Sequence, residues 1–129
     1  MNDREFLKAF EDCTLREFPH RSHIRMAWLY LRAYGWDVGT QKIRVGIQRF
    51  ADNAGATSKY HETITIFWAH LVYYVIQSYP EVDDFDRFVA LHPGLLDSRL
   101  IQRHYSHDVL FSERARHEWV EPDLQAMPE

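Results

Sequence analysis

Apolar residues recur every three or four positions along most of the chain, which is the spacing of amphipathic α-helices. The first helix is predicted to begin at Asn2 or Asp3 and to end at about Phe18, immediately before a proline. Ser22 is the predicted N-cap of the second helix, and Gly35 is its C′ residue. Since no alternating strand pattern is present, the sequence predicts an all-α protein.

Two further helices follow in the same pattern. The third is predicted from Asp37 to Gly55, with Gly46 marking a close approach of two backbones. The fourth is predicted from Ser58 to about Tyr79 and is apolar on all sides. Because a helix that is apolar all round is normally buried, this one is the predicted centre of the fold.

The C-terminal third has a shorter and weaker pattern. It predicts three short helices and then an extended tail from Glu121. The short helices are residues 83–91, 93–104 and 112–119. We therefore expect one domain, residues 1–129, with a four-helix core (1–79) followed by short helices and a C-terminal strap (80–129). Because short loops join the main helices, the core is predicted to be an antiparallel bundle.

Composition and charge exclude several classes of protein. The 129 residues include 15% aromatic residues, too many for a disordered chain. A net charge of −4 argues against a nucleic-acid partner. The most apolar stretch, residues 64–76, is 13 residues long, whereas a bilayer span needs about 20. With one cysteine, Cys13, and no signal peptide visible, we expect a cytoplasmic protein without a membrane partner.

The eight histidines suggest a site at one end of the predicted bundle. His20 and His23 are three residues apart, and Glu17 lies three residues before His20. His61 and Glu62 are adjacent near the start of the central helix. If consecutive helices are antiparallel, the second and fourth are parallel, so these five residues are expected to converge.

Imidazole and carboxylate groups bind zinc, iron and other divalent metals. Helical spacing places His23 on the buried side of its helix and His61 at the margin of an apolar stripe. We therefore predict His20, His23 and His61 as metal ligands, with Glu17 next. Glu62 lies about 100° round the helix from His61, so it is predicted as a ligand or as a group that orients one. A metal-bound water could be the reactive group, but no reaction or catalytic residue can be assigned.

Structural roles explain each of these residues singly. Glu62 suits the dipole at a helix start, and His23 or His61 could form hydrogen bonds across a helix junction. His-Glu-x-x-His is absent, because Thr65 stands where the second histidine would be. If the bundle encloses a cavity, the hydroxyls of Tyr30 and Tyr73 are the predicted contacts to a small-molecule ligand.

Two other functions stay open at this point. The surplus of apolar side chains, including Leu29 on an arginine-bearing helix face, would suit a non-enzymatic interaction module or a homodimer. A bundle cavity would suit a carrier of an apolar small ligand. His70, in mid-helix, is predicted to be a core histidine with a satisfied hydrogen bond. His104 and His107 could fold back over the histidine end, although no spacing requires it.

Three runs resemble those of a small bacterial family of all-helical proteins to which no activity is attached. They are residues 17–31, residues 60–65 (Tyr-His-Glu-Thr-Ile-Thr) and residues 119–124. The resemblance covers most of the chain. It implies a bacterial origin and an all-helical fold, and it implies no mechanism.

Overall fold

The computed structural model describes residues 1–128, and the regular secondary structure within them is entirely helical. The protein is all-α, as the hydrophobic spacing predicts. The chain divides into two compact units, Met1–Tyr60 and the residues from His61 onward. The sequence predicts an internal boundary after residue 79, whereas the two compact units divide after residue 60. The single domain and its antiparallel bundle stay predictions.

The first helix, α1 (Asp3–Glu11), begins with a reciprocal cap. The Asn2 side chain accepts a hydrogen bond from the Glu5 N–H at 2.8 Å. The Glu5 carboxylate accepts one from the Asn2 N–H at 3.0 Å. This capping box satisfies two N–H groups that the first helical turn would otherwise leave unpaired. The predicted start of the helix is confirmed.

The end of α1 comes earlier than predicted, because Cys13 has a left-handed conformation (φ 59°). The Cys13 N–H donates to the carbonyl of Phe10, and the next N–H, that of Thr14, donates to the carbonyl of Ala9. This pattern is a Schellman closure, which a glycine usually forms. The predicted continuation to Phe18 is therefore wrong.

The second helix, α2 (His20–Asn53), is interrupted at Gly35 (φ 76°, ψ −170°). That backbone conformation is essentially restricted to glycine. The two arms of α2 are residues 20–34 and 36–53. A Cβ atom at Gly39 would lie 3.1 Å from the Cα of Leu31, although residues eight apart in an unbroken helix are about 12 Å apart. The arms therefore fold back on each other, and the helix break predicted at Gly35 is confirmed.

Gly46 admits an aromatic ring into the first unit. A Cβ atom there would lie 2.5 Å from the ring of Phe10, closer than real Cβ atoms approach their neighbours. The Phe10 ring is 4.9 Å from that of Phe18 and 6.0 Å from that of Phe50, centroid to centroid. The predicted close approach at Gly46 is thus present, but its partner is a side chain and not a second backbone.

The ends of α2 differ in how well the sequence predicts them. Pro19, extended at ψ 171°, is the N-cap, and its carbonyl accepts hydrogen bonds from the N–H groups of Ser22 and His23. Ser22 is therefore inside the first turn, and its predicted capping role is wrong. At the other end, Gly55 (φ 71°) closes the helix as predicted.

The central helix of the second unit is α3 (Glu62–Ser78), and its N-cap is His61. The predicted start at Ser58 is wrong, since Thr57–Lys59 forms a separate 3₁₀ turn. The predicted end near Tyr79 is confirmed. The buried residues of α3 surround the helix, as its apolar composition predicts; they are Thr63, Ile66, Phe67, Trp68, Ala69, Leu71, Val72 and Val75.

The rest of the second unit consists of short elements. They are α4 (Phe85–Leu91), 3₁₀ turns at Pro93–Leu96 and Leu100–Arg103, α5 (His107–Leu110) and α6 (Glu113–His117). The helices predicted at 83–91 and 112–119 are present. The one predicted at 93–104 is not, because Asp97 is extended (φ −92°, ψ 99°) and separates the two 3₁₀ turns. The sequence did not predict α5.

Candidate functional site

The predicted site residues are found in both compact units. The first unit holds Glu17, His20, His23 and Tyr30. The second holds His61, Glu62 and Tyr73. Among residues 1–128, no group of three or more His, Cys, Asp or Glu side chains is arranged to hold a metal ion. The metal-ligand roles stay predictions.

His23 lies in the first turn of α2 against the ring of Phe18, with ring centroids 4.0 Å apart. A hydrogen bond to the Phe18 backbone uses one of its ring nitrogens. Burial, with a smaller contribution from the nearby charge of His20, lowers the pKa of His23 to about 4. The imidazole is therefore neutral at physiological pH, and its second nitrogen keeps a lone pair.

His20 and Glu17 lie on either side of Pro19. His20 is half-buried and is the first residue of α2, whereas Glu17 is exposed in the segment before that helix. His20 and His23 are three positions apart on one helix, so their side chains share a face. The structure thus places two of the predicted ligands together within the first unit.

The two predicted ligand-contacting tyrosines have different surroundings. The Tyr30 hydroxyl donates a hydrogen bond to the Glu11 carboxylate at 2.6 Å. Burial and this bond raise the pKa of Tyr30. Tyr73 is half-buried in α3. The hydrogen bond of Tyr30 to Glu11 links α2 to α1. The ligand-binding role of Tyr30 and Tyr73 stays a prediction.

His61 uses both of its ring nitrogens in hydrogen bonds. Nδ1 accepts from the backbone N–H of Ile64 at 3.1 Å, so His61 caps α3 as an aspartate would. The ring proton is therefore on Nε2, which donates to the carbonyl of Leu110 at 2.7 Å. Burial lowers the pKa of His61. A metal could bind His61 only in exchange for one of these bonds, whereas the adjacent Glu62 suits the helix dipole.

The clearest constellation of polar side chains in the second unit surrounds the segment after α6. We call residues 118–128 the C-terminal strap. It contains no helix, and Glu118 at its start is extended (φ −145°, ψ 164°). Its main chain is bound at residues 118, 120, 124, 125 and 128. The receiving groups belong to α3 and to His104 and Tyr105, which directly follow the 3₁₀ turn Leu100–Arg103. The extended tail that the sequence predicts from Glu121 is therefore present, but it begins at Glu118.

Thr63 and Tyr105 bind the beginning of the strap. The Thr63 hydroxyl donates to the carbonyl of Glu118 at 2.8 Å and accepts from the N–H of Val120 at 3.2 Å. The Tyr105 hydroxyl donates to the carbonyl of Val120 at 2.5 Å, and its ring meets that of Trp119 edge-on. Both anchors are buried, and burial is the largest cause of the raised pKa of Tyr105.

The middle of the strap is bound from His104 and Ser106. The His104 carbonyl accepts from the Leu124 N–H at 3.0 Å, and its ring Nδ1–H donates to the Gln125 carbonyl at 2.8 Å. The Asp123 carboxylate accepts from the Ser106 N–H at 2.8 Å. Hydrogen bonds from Ser106 lower the pKa of Asp123. His104 thus both accepts a hydrogen bond from the strap main chain and donates one to it.

His70 binds the last described residues of the chain. Its Nε2–H donates to the carbonyl of Pro128 at 2.8 Å. The prediction that His70 is a satisfied histidine is confirmed, but its partner is the strap. His70 and Thr63 are seven positions apart on α3, so they lie two turns apart along the same side of the helix.

The common role of these residues is not evident from the sequence. Three of the histidines, His61, His70 and His104, each donate to a backbone carbonyl of the C-terminal region. The signal was an extended tail with two prolines, whose carbonyls no helix could satisfy. His107, by contrast, is exposed and lies 4.8 Å from the ring of Phe111.

No protein-family model, no curated protein and no solved structure matches the chain. In the part of the chain that the structure describes, helices of the length and hydropathy needed to cross a bilayer are absent.

Proposed function

We propose that the protein is a non-enzymatic interaction module whose second unit binds an extended polypeptide segment by its main chain. The C-terminal strap occupies that surface and serves as the bound segment. The observation that carries the proposal is the set of side-chain donors to strap carbonyls. These donors are Thr63, His70, His104 and Tyr105.

Main-chain recognition favours a binding function because it requires little of the bound sequence. Hydrogen bonds to carbonyls supply affinity, and a few side chains supply selectivity. In the strap, Trp119, Val120 and Pro122 are half-buried, whereas Glu121 and Leu124 are exposed. The expected partner segment is therefore extended, with an aromatic or aliphatic residue followed by a proline.

A peptide with the strap sequence, residues 118–128, tests this function on the full-length protein. In the parent, the strap competes at an effective concentration in the millimolar range, so added peptide binds weakly. Trp119→Ala with Asp123→Ala weakens the strap without changing its receiving side chains. We expect this variant to bind the peptide at least about tenfold more tightly, since the internal competitor is weakened.

Thr63→Val, added to the strap-weakened variant, is the control for this experiment. It removes one anchor on the receiving surface, so peptide binding should fall back. A peptide of the same composition in scrambled order should bind less well than the strap sequence. If the folded, strap-weakened variant binds neither peptide by titration calorimetry or NMR, the proposed function is wrong.

A second candidate function is divalent-metal binding in the first unit, through His20 and His23 with Glu17 nearby in sequence. The arrangement of His23 favours it: one ring nitrogen is fixed on a backbone carbonyl, and the other belongs to a neutral imidazole. Metal-bound histidines are commonly oriented in this way. Two imidazoles with bound waters would suit zinc or another first-row metal.

Metal content of the untagged protein tests this candidate. We expect near-stoichiometric zinc or iron, or uptake of added zinc, and loss of that metal in His20→Ala and His23→Gln. His117→Gln, which changes an exposed histidine on α6, is the control and should keep the metal. Parent protein that holds no metal and takes up none would exclude this function.

A further inference from the structure

We infer that the partner whose strap fits the second unit is another copy of this chain, with the two copies exchanging straps. The inference rests on the proposed function, since it names the occupant of the same surface. The strap sequence is the one segment whose fit to this surface the structure displays. A second copy supplies that segment with every hydrogen bond and ring contact unchanged.

The strap is connected in a way that permits exchange. It follows the last helix, α6, which ends at His117, and Glu118 is already extended. Lifting the strap therefore breaks no helix. Its eleven residues can span roughly 35 Å when extended, enough to reach a neighbouring molecule. In the closed form, the strap binds its own chain, and an exchanged dimer keeps each of those contacts. Association is therefore opposed only by the loss of translational and rotational entropy and by any strain in the hinge, the segment that connects the strap to α6.

Charge favours the approach of a second copy. The strap carries three carboxylates and neither lysine nor arginine. The chain just before it, residues 99–117, carries four arginines and two carboxylates. One such pair is formed within the chain, between Arg114 and Glu118. Opposite charges on strap and receiving region would steer association, and added salt would weaken it.

Exposed apolar side chains offer further area for a dimer. Phe111, in the turn between α5 and α6, is 56% exposed, and Leu124, on the strap itself, is 60% exposed. Phe111 lies seven positions before the strap, and Leu124 lies on it. Their burial between copies would add to the contacts that the closed form already makes.

Cross-linking between differently marked full-length chains tests the exchange. The Ser106 N–H binds the Asp123 carboxylate at 2.8 Å, so these positions adjoin across the strap contact and are the ones chosen for paired cysteines. In a Cys13→Ser background, one chain carries Ser106→Cys and the other Asp123→Cys. After mixing and mild oxidation, mass spectrometry separates the mixed dimer from the two same-chain dimers.

We expect the mixed dimer to exceed either same-chain dimer several-fold, and to decrease in high salt. Replacing Ser106→Cys by Ser98→Cys, an exposed position outside the strap contacts, should reduce the mixed dimer to the proportion expected from random pairing. In a chain that carries both Ser106→Cys and Asp123→Cys, an internal disulfide shows that the strap is bound to its own chain. If that chain forms its internal disulfide while mixed dimers stay at the control level, the exchange is wrong and the proposed function stands. If neither disulfide forms, both are wrong.

Discussion

Thr63→Val is expected to lower the free energy of unfolding of the second unit by about 2–4 kcal/mol. Valine has nearly the same shape as threonine, but it leaves the Glu118 carbonyl and the Val120 N–H without their partner. A polar group left unpaired costs about 1–3 kcal/mol when it is buried, and these two part-buried groups fall in the lower half of that range. Urea denaturation, followed by the tryptophan fluorescence and by NMR signals of the strap, measures the loss.

Thr65→Val is the matched control, two positions along the same helix. The Thr65 hydroxyl donates to the carbonyl of His61, four residues earlier in the sequence. Bonds of this local kind contribute little to helix stability, so this change should cost less than about 0.5 kcal/mol. Equal losses in the two variants would show that Thr63 does not anchor the strap.

Acid is expected to destabilise the first unit through His23. Its pKa is about 4 in the folded protein and 6.5 in an exposed histidine, so the folded state resists protonation. The stability is therefore fully present above pH 6.5 and is lost as the pH falls toward 4. A tenfold difference in proton affinity is worth about 1.4 kcal/mol, so the interval between pKa 6.5 and about 4 limits the loss to about 3–4 kcal/mol.

His23→Gln isolates this effect, because glutamine does not titrate. Denaturation between pH 7 and 4 should show a smaller acid loss than in the parent, even though the variant is less stable at neutral pH. Burial also lowers the pKa of His61, so acid destabilises the second unit as well, and that loss persists in His23→Gln. His117→Gln, at an exposed histidine, should behave as the parent. An acid loss in His23→Gln as steep as in the parent would contradict the assignment.

Local signals predicted the helices well where backbone chemistry determines them. Gly35 and Gly55 end helices because each needs a positive φ, and the Asn2 cap follows from its position before an acidic first turn. The two helix ends that the sequence does not predict depend on residues that rarely end or cap a helix. Cys13 takes a conformation that glycine usually takes, and His61 caps a helix with an imidazole. Neither residue type carries a sequence signal for that role.

The candidate site was harder to predict, because its contacts join residues far apart in the sequence. Thr63 and Glu118 are 55 positions apart, and His70 and Pro128 are 58 apart. The sequence predicts an extended tail and a satisfied hydrogen bond for His70, but it gives no role to Thr63. Nothing local linked the two. The histidine surplus suggested metal ligands, whereas in the second unit the structure shows three histidines as donors to backbone carbonyls.

Amide hydrogen exchange in the strap tests the central claim most directly. The Val120 N–H donates to Thr63, and the Leu124 N–H donates to His104. If the strap is bound as described, both backbone amides exchange much more slowly than in the free strap peptide. The backbone N–H of Gln125, an exposed residue, serves as an internal comparison. We expect Thr63→Val to remove the protection of the Val120 N–H. Exchange of Val120 and Leu124 at the rate of the free peptide, in the parent protein, would contradict it.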